Sequence, residues 1–423
     1  MRLSGLLVAF MIAHPALGEG ANDAVVTTDS VDIRAFGDSG YVGGLGVYGT
    51  PPADWVRSRL SKVEMLRSLD INFLNLEGSL TRSCDQFDDK PFPFAISPEA
   101  LTDFGRWGFN LISLANNHTL DCLDPAPGLE SARALDQTTK EIPGLRAHGI
   151  AASLKNLINR PALLTVRNVK IGMVSMKAWE TGRRATIGNL NNRGAVMGGL
   201  AKADVDIRIL SLHGGIENSR RPTVLIMNLA REFVAKYDGD IVFAHHPHVS
   251  QGFEVITKPN GRHAVIFYSL GNGLHNGLSP NGDGLAARVR VRADGIDLNS
   301  LAVFPLRRPS FKPRALVESE LPEITETLRA SSAAIALRPL PRGLGRVAFE
   351  LELIRDPALG LQLDFVPGAI GAGKSVAPQV RNVAIKKTPK DRSRGRSDEP
   401  GSRKAAEWIA PPTGVPHILK ESH

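Results

Sequence analysis

The chain has 423 residues, enough for one large or two medium domains, and its apolar (42%) and charged (22%) fractions are ordinary for a globular protein. Its net charge of +8 is unevenly placed: from Lys374 to His423 eleven Lys/Arg stand against five Asp/Glu, which accounts for six of the eight surplus charges. The nearly neutral body excludes a basic nucleic-acid-binding groove.

In chain order, residues 1–18 (MRLSGLLVAFMIAHPALG) come first. A basic start, an apolar stretch and a small-residue ending predict a secretory signal cleaved near Gly18. His14 and Pro15 leave the run short of the ~20 residues a membrane span needs, and no later segment is long enough. Strands are predicted over 31–38 and 71–78. Between them Val56, Leu60, Val63, Leu66 and Leu69 share one face of a helix over 55–70. A helix over 97–108 opens with Ser97 as N-cap and Pro98 at the first position. Strands follow over 109–118, twice within 161–179, over 206–215, over 240–249 and over 263–272. A helix fills 223–236, with Leu225, Leu229, Phe233 and Val234 on its apolar face. A hairpin over 287–306 turns at Asp294-Gly295. Alternation of strand and helix predicts an α/β layered domain over 31–366. After that the chain is charged and rich in Pro, Gly and Ser, predicting a disordered basic tail over 367–423. GAIGAGKS (368–375) spells a phosphate-binding loop, but prolines and no amphipathic helix follow it, so nucleotide binding is rejected.

Six apolar runs end in polar groups: Gly37-Asp38, Glu77, Asn116-Asn117-His118, His213, His245-His246-Pro247-His248, and Gly271-Asn272. Sites in open α/β sheets form outside the carboxyl ends of the strands, so these tips can converge on one crevice. Taken singly, each has an ordinary explanation as a turn or a structural imidazole. Together they offer imidazole, carboxylate and amide oxygen, a donor set suited to Zn, Mn or Fe. No thiolate is among them, unlike a structural zinc site. A metal with a nearby unligated His suits hydrolysis. Cys84 lies just past Glu77 and Cys122 beside Asp121. If both tips line one crevice, a disulfide across the rim is expected; two free thiols are the alternative.

The ordered set GD (37–38), NLEGSLT (75–81), SLANNHTLD (113–121), LHGGIE (212–217), HHPHV (245–249) and YSLGN (268–272) resembles the calcineurin-like metallophosphoesterase superfamily. More closely, it is similar to the bacterial capsule-synthesis CapA family, associated with poly-γ-glutamate production. The resemblance runs from about 31 to 306. It implies an α/β, metallophosphatase-like sandwich of two mixed β-sheets flanked by helices. It implies one or two divalent transition-metal ions (Mn, Zn or Fe) held by Asp38, Glu77, Asn117, His213, His246 and His248. His118 would assist the leaving group without coordinating, and Asn116, Asp121, Glu217 and Asn272 would contact substrate. The implied function is an exported, periplasmic or envelope hydrolase of capsule or poly-γ-glutamate metabolism, working with capsule-synthesis machinery. The alternative is a non-catalytic polymer-binding component of such a complex. Three departures stand out. Gly40 replaces a common His. Gly214 and Asn218 replace a common Trp and Tyr, and Gly273 replaces a common aromatic. They predict a weaker or single metal site and an enlarged or softened pocket.

Overall fold

The computed structural model describes residues 29–41, 48–49, 55–61, 63, 66–123, 129–180, 187–275, 283–307, 313–356, 359–367 and 381–382. The signal-like segment 1–18 and the 368–375 motif lie outside the described residues, as does the tail beyond 367 except Arg381–Asn382.

Two mixed sheets face each other. In the larger, of eleven described strands, the order is Arg381–Asn382, Phe349–Asp356, Gly360–Pro367, Gly295–Arg307, Asp283–Arg292, Val31–Gly40, Ile71–Leu76, Leu111–Ser113 and Arg146–His148. Asn272–His275 also pairs with Val31–Gly40. The seven-stranded sheet runs Gly345–Val347, Phe253–Thr257, His263–Phe267, Ile241–His245, Ile207–His213, Val169–Lys177 and Ala162–Val166.

Alternation along these strands explains the layers. Val31, Ile33, Ile71, Phe73 and Val289 point inward from the larger sheet, against Ile171, Met173, Ile209, Phe243 and Val265 from the smaller. Phe73 stacks on Phe243 with centroids 5.1 Å apart. The opposite faces carry separate apolar clusters. One is covered by the helices Pro98–Arg106 and Leu129–Glu141, the other by Arg193–Ala201 and Val224–Tyr237, while Leu321–Ala336 packs Leu321, Ile324 and Leu328 into the central cluster and only Ile335 into the outer one. The protein is therefore an α/β sandwich of two mixed sheets flanked by helices.

Several local expectations change. The helix expected over 55–70 is described as Trp55–Leu60, and Leu69 is fully exposed rather than on a buried face. In Val224–Tyr237, Ile226 is buried and Leu225 exposed. The strand expected over 109–118 spans Leu111–Ser113. Asn116 ends it: its Oδ1 accepts the His118 N–H at 3.0 Å, and Thr119 Oγ1 reaches back to Leu114 O. Such a side-chain turn competes with the ladder. Ser97 and Pro98 open their helix as expected, although the Ser97 hydroxyl caps no backbone N–H. Arg381–Asn382, expected within the tail, pairs with Ile354 and Arg355.

What positions the site is parallel pairing. Val31–Gly40, Ile71–Leu76 and Leu111–Ser113 run parallel in one sheet. Val169–Lys177, Ile207–His213 and Ile241–His245 run parallel in the other. Each set sends its carboxyl ends out at one edge. A close crossing locks the first tip. A Cβ on Gly37 would stand 2.0 Å from the Gly271 carbonyl oxygen, so only glycine fits there. The crossing lets the Asp38 N–H donate to Gly271 O at 2.9 Å and sets Asp38 in register with Asn272.

Candidate metal centre

Asp38 and Glu77 are both fully buried, with no side-chain exposure. Asp38 Oδ1 accepts from Asn75 Nδ2 at 2.9 Å, and its Oδ2 accepts the His246 N–H at 3.1 Å. His248 Nδ1 lies 3.1 Å from Asp38 Oδ2, and His245 Nδ1 and His213 Nδ1 lie 3.6 and 3.9 Å from Oδ1. Burial alone would raise the Asp38 pKa. The close His248 imidazole, with His213 and His245, outweighs it and holds the carboxyl well below the usual range. Glu77 is the opposite case: burial, then the Asp38 charge, pushes it well above the normal carboxylate value. Among the described residues neither Glu77 oxygen has a hydrogen-bond partner.

The histidines close the ring. His213 Nε2 lies 2.8 Å from Asn117 Oδ1 and 3.5 Å from Glu77 Oε1. His213 and His246 rings are 5.1 Å apart, and His246 and His248 rings 5.7 Å. His246 and His248 have φ of +98° and +56°, a region non-glycine residues rarely occupy. Three bonds hold that strained turn: His246 N–H to Asp38, Asn272 Nδ2 to His248 O at 2.7 Å, and Asn218 N–H to Pro247 O at 2.8 Å. The strain aims both imidazoles at the carboxylates. Burial lowers His213 well below 6.5 and, with the nearby His248, brings His246 to about 3. His248 is raised to about 9: burial opposes its charge, but Glu77 and Asp38 favour it more strongly.

Ligand atoms within 4.8 Å of one another form three overlapping groups: Glu77 with His213 and His246; Asp38 with Glu77 and His248; Glu217 with His246 and His248. Buried acceptors without partners at Glu77 Oε1 and Oε2 and at His246 Nδ1, inside such groups, fit one or two divalent ions. Of the residues read from the sequence, Asp38, Glu77, Asn117, His213, His246 and His248 come together. The exposed Glu217 joins at the rim.

Three others stand one layer away. Asn116 is consumed internally, its Nδ2 donating to Leu76 O at 2.8 Å. Asn272 supports the His248 turn. Asp121 holds His118: its Oδ2 lies 2.6 Å from His118 Nδ1 and accepts the Phe94 N–H at 2.7 Å, while its Oδ1 pairs with Lys90. His118 Nε2 is 3.8 Å from Glu77 Oε1, and its ring stacks on Phe94 at 4.2 Å. Burial lowers its pKa, opposed by Asp121. Cys84 and Cys122 are disulfide-bonded, Cα atoms 5.7 Å apart, tying the Lys90 loop to this turn.

The family model described as "Bacterial capsule synthesis protein PGA_cap" matches residues 54–276, more than half of the chain. The protein belongs to this family. The matched span holds Glu77, Asn117, His118, His213, His246 and His248; Asp38 precedes it. The capsule biosynthesis protein CapA of Bacillus anthracis is 26% identical over 237 residues, 53% of this chain and 54% of that protein. The PGA biosynthesis protein CapA of Bacillus subtilis is 24% identical over 248 residues, 54% and 61% of the two chains. The chain thus spans little more than half the length of these relatives. A phosphatase structure from Mycoplasma pneumoniae is similar at TM-score 0.43 and 13% identity, covering 67% of this chain and 95% of that one. A protein from Thermus thermophilus scores 0.40 at 13% identity, covering 66% and 100%. Likenesses this distant do not bear on function.

At Gly214 and Gly273 the missing side chains leave no open space. A Cβ on Gly214 would meet Ala178 Cβ at 2.6 Å and Ile226 Cδ1 at 2.7 Å, and one on Gly273 would meet Ser39 Oγ at 2.6 Å. Neighbours fill both positions. The aromatic wall comes instead from Trp179, 4.7 Å from His246 and 6.1 Å from His213. At Gly40 a Cβ would lie 3.3 Å from His275 Cδ2, so a second imidazole occupies that side. The sequence reading missed Asn75, Lys90, Lys177, Trp179 and His275. Lys177 and Trp179 carried a usable signal: the run 170–179 is one more apolar strand with a polar end.

Proposed function

We propose that the protein is an exported, metal-dependent hydrolase of capsule or poly-γ-glutamate metabolism in the cell envelope. The observation that carries this reading is the pair Asp38 and Glu77, buried among His213, His246 and His248, with Glu77 accepting no hydrogen bond among the described residues and with His118 fixed at the edge by Asp121. Asp38, Glu77, Asn117, His213, His246 and His248 would hold one or two Mn, Zn or Fe ions. Such an ion supplies Lewis acidity and an activated water. The chain's own contribution is positional. Asp38 fixes the His246–His248 turn, and Trp179 walls off one side of His213 and His246. Asp121 fixes the His118 ring, leaving Nε2 to hand a proton to a leaving oxygen or nitrogen. Glu217 borders the entrance where substrate would sit, and the buried Asn272 holds the His248 turn behind it. The bond hydrolysed is a phosphoester or a γ-linked amide. The capsule assignment rests on family membership and on the roles that the two CapA relatives' names carry.

A second reading, a polymer-binding component without turnover, is favoured by Gly40, which offers no side-chain ligand where relatives commonly carry a His. Purified protein separates the two. Under the hydrolase reading His118→Ala keeps wild-type metal content and loses about 10²–10⁴-fold in turnover on its best phosphoester or γ-glutamyl substrate. Fully metal-loaded wild type that is inactive on both classes would instead support the binding reading.

Among the described residues no helix is long and apolar enough to cross a membrane. Envelope association is therefore part of this proposal, as is contact with the capsule-synthesis machinery.

A further inference from the structure

Strand Val169–Lys177 ends one residue-pair away from the centre. Lys177 stands in register with His213 on the neighbouring strand, so both side chains leave the same face of the sheet. Two residues earlier on that face, Ser175 Oγ lies 2.6 Å from Ser113 Oγ of the opposite sheet. The face is the one that looks across to the Asn117–Asp121 turn. Lys177 is only 8% exposed. Among the described residues its ammonium makes no hydrogen bond or ion pair, and the charges that act on it are Lys90, Asp121 and Asp88. Asp121 is already paired with Lys90, which also donates to Asn117 O at 2.9 Å. Asp88 lies on the exposed part of the loop. Its side chain is largely buried, no described group compensates its charge, and it stands near a second, half-buried cation.

Buried lysines without a partner are rare because losing hydration costs several kcal/mol. Elsewhere in this protein the rule is kept: buried Lys258 is held by Asp238 and Asp240, each at 2.7 Å, and buried Arg231 by Glu254 at 2.7 Å. Lys177 is the exception, and it lies at the edge where the candidate ligands converge.

We propose that Lys177, with Lys90 beside it, forms an oxyanion subsite that seats a carboxylate or phosphate group of the substrate next to the metal centre. The pair lies on the side of His118 and Asp121, so the anionic group would sit on the leaving-group side of the scissile bond. The inference rests on the hydrolase reading for the place of the bond, but not for the binding itself.

The test is calorimetric binding to the full-length, metal-loaded chain. Two probes distinguish the sources: inorganic phosphate and short γ-linked glutamyl oligomers. Lys177→Met should keep wild-type metal content and a denaturation midpoint at or above wild type, because a buried charge is removed. It should weaken at least one probe tenfold or more, and Lys177→Arg should retain most of the affinity. The probe that responds names the group. Unchanged affinity of Lys177→Met for both probes overturns the proposal. So does loss of metal in parallel with affinity, or wild type binding neither probe. Wild type that binds a probe through Lys177 but hydrolyses nothing removes the hydrolase reading and leaves the subsite standing.

Discussion

Asp121 offers the sharpest quantitative test of how the His118 turn is held. The carboxylate is 1% exposed and serves three groups: the Phe94 N–H at 2.7 Å, His118 Nδ1 at 2.6 Å and the Lys90 ammonium. Asp121→Ala strands two buried donors, at about 1–3 kcal/mol each, and releases a Lys90 that can rehydrate. The expected destabilisation is about 3–5 kcal/mol. Asp121→Asn keeps one oxygen for Phe94 and His118 but turns an amide toward Lys90, so about 1–2 kcal/mol is expected. Denaturant unfolding with an unchanged slope measures both. The carboxylate also raises the His118 pKa against burial. NMR titration of His118 in Asp121→Asn should therefore move to lower pH. Asp121→Ala costing under about 1 kcal/mol, or an unmoved His118 titration, would refute the reasoning.

Other outcomes follow from the same contacts. In metal-stripped protein His246 and His245 are depressed to about 3 and 4, so the unfolded chain binds more protons below pH 6.5 and stability falls with acid. His248, raised to about 9, contributes stability that is full below pH 6.5 and lost as pH rises through 9. Thermal midpoints of the chelated protein should peak near pH 6.5; a steady rise toward pH 5 would contradict this. Replacing Cys84 and Cys122 by Ser opens a loop of 38-residue separation and should cost about 4 kcal/mol in a denaturant titration, with under 1 kcal/mol counting against it. Gly37→Ala puts a Cβ 2.0 Å from a backbone carbonyl and should cost at least about 3 kcal/mol and lower metal affinity. A soluble variant with wild-type midpoint would show that the crossing yields easily.

Much of the centre was legible because parallel strands share a simple grammar: an apolar body, then a tip at the carboxyl edge. Asp38, Glu77, His213 and the 246/248 pair obey it, and only the His-x-His spacing separates 246 and 248 from His245, whose ring packs on Phe73. Lys177 obeys it too, but a search for metal donors passes over a cation. Lys90 had no such signal: it sits in an irregular loop whose place depends on the disulfide and on Asp121. The helix Leu129–Glu141 hid because its buried positions include Ser131 and Thr138. Gly214 and Gly273 misled for a physical reason. A missing side chain reads as space in a sequence, whereas here Ala178, Ile226 and Ser39 occupy it.

The claim on which the rest depends is that these tips hold metal. Anomalous diffraction from crystals soaked in Mn or Zn, with metal per chain measured on the same protein, tests it most directly. The account predicts one or two peaks within about 2.0–2.2 Å of ligand atoms from Glu77, His213, His246, His248 and Asp38, and loss of metal in His246→Ala. A saturated protein with no peak among these residues, or full metal content in His246→Ala, would contradict it.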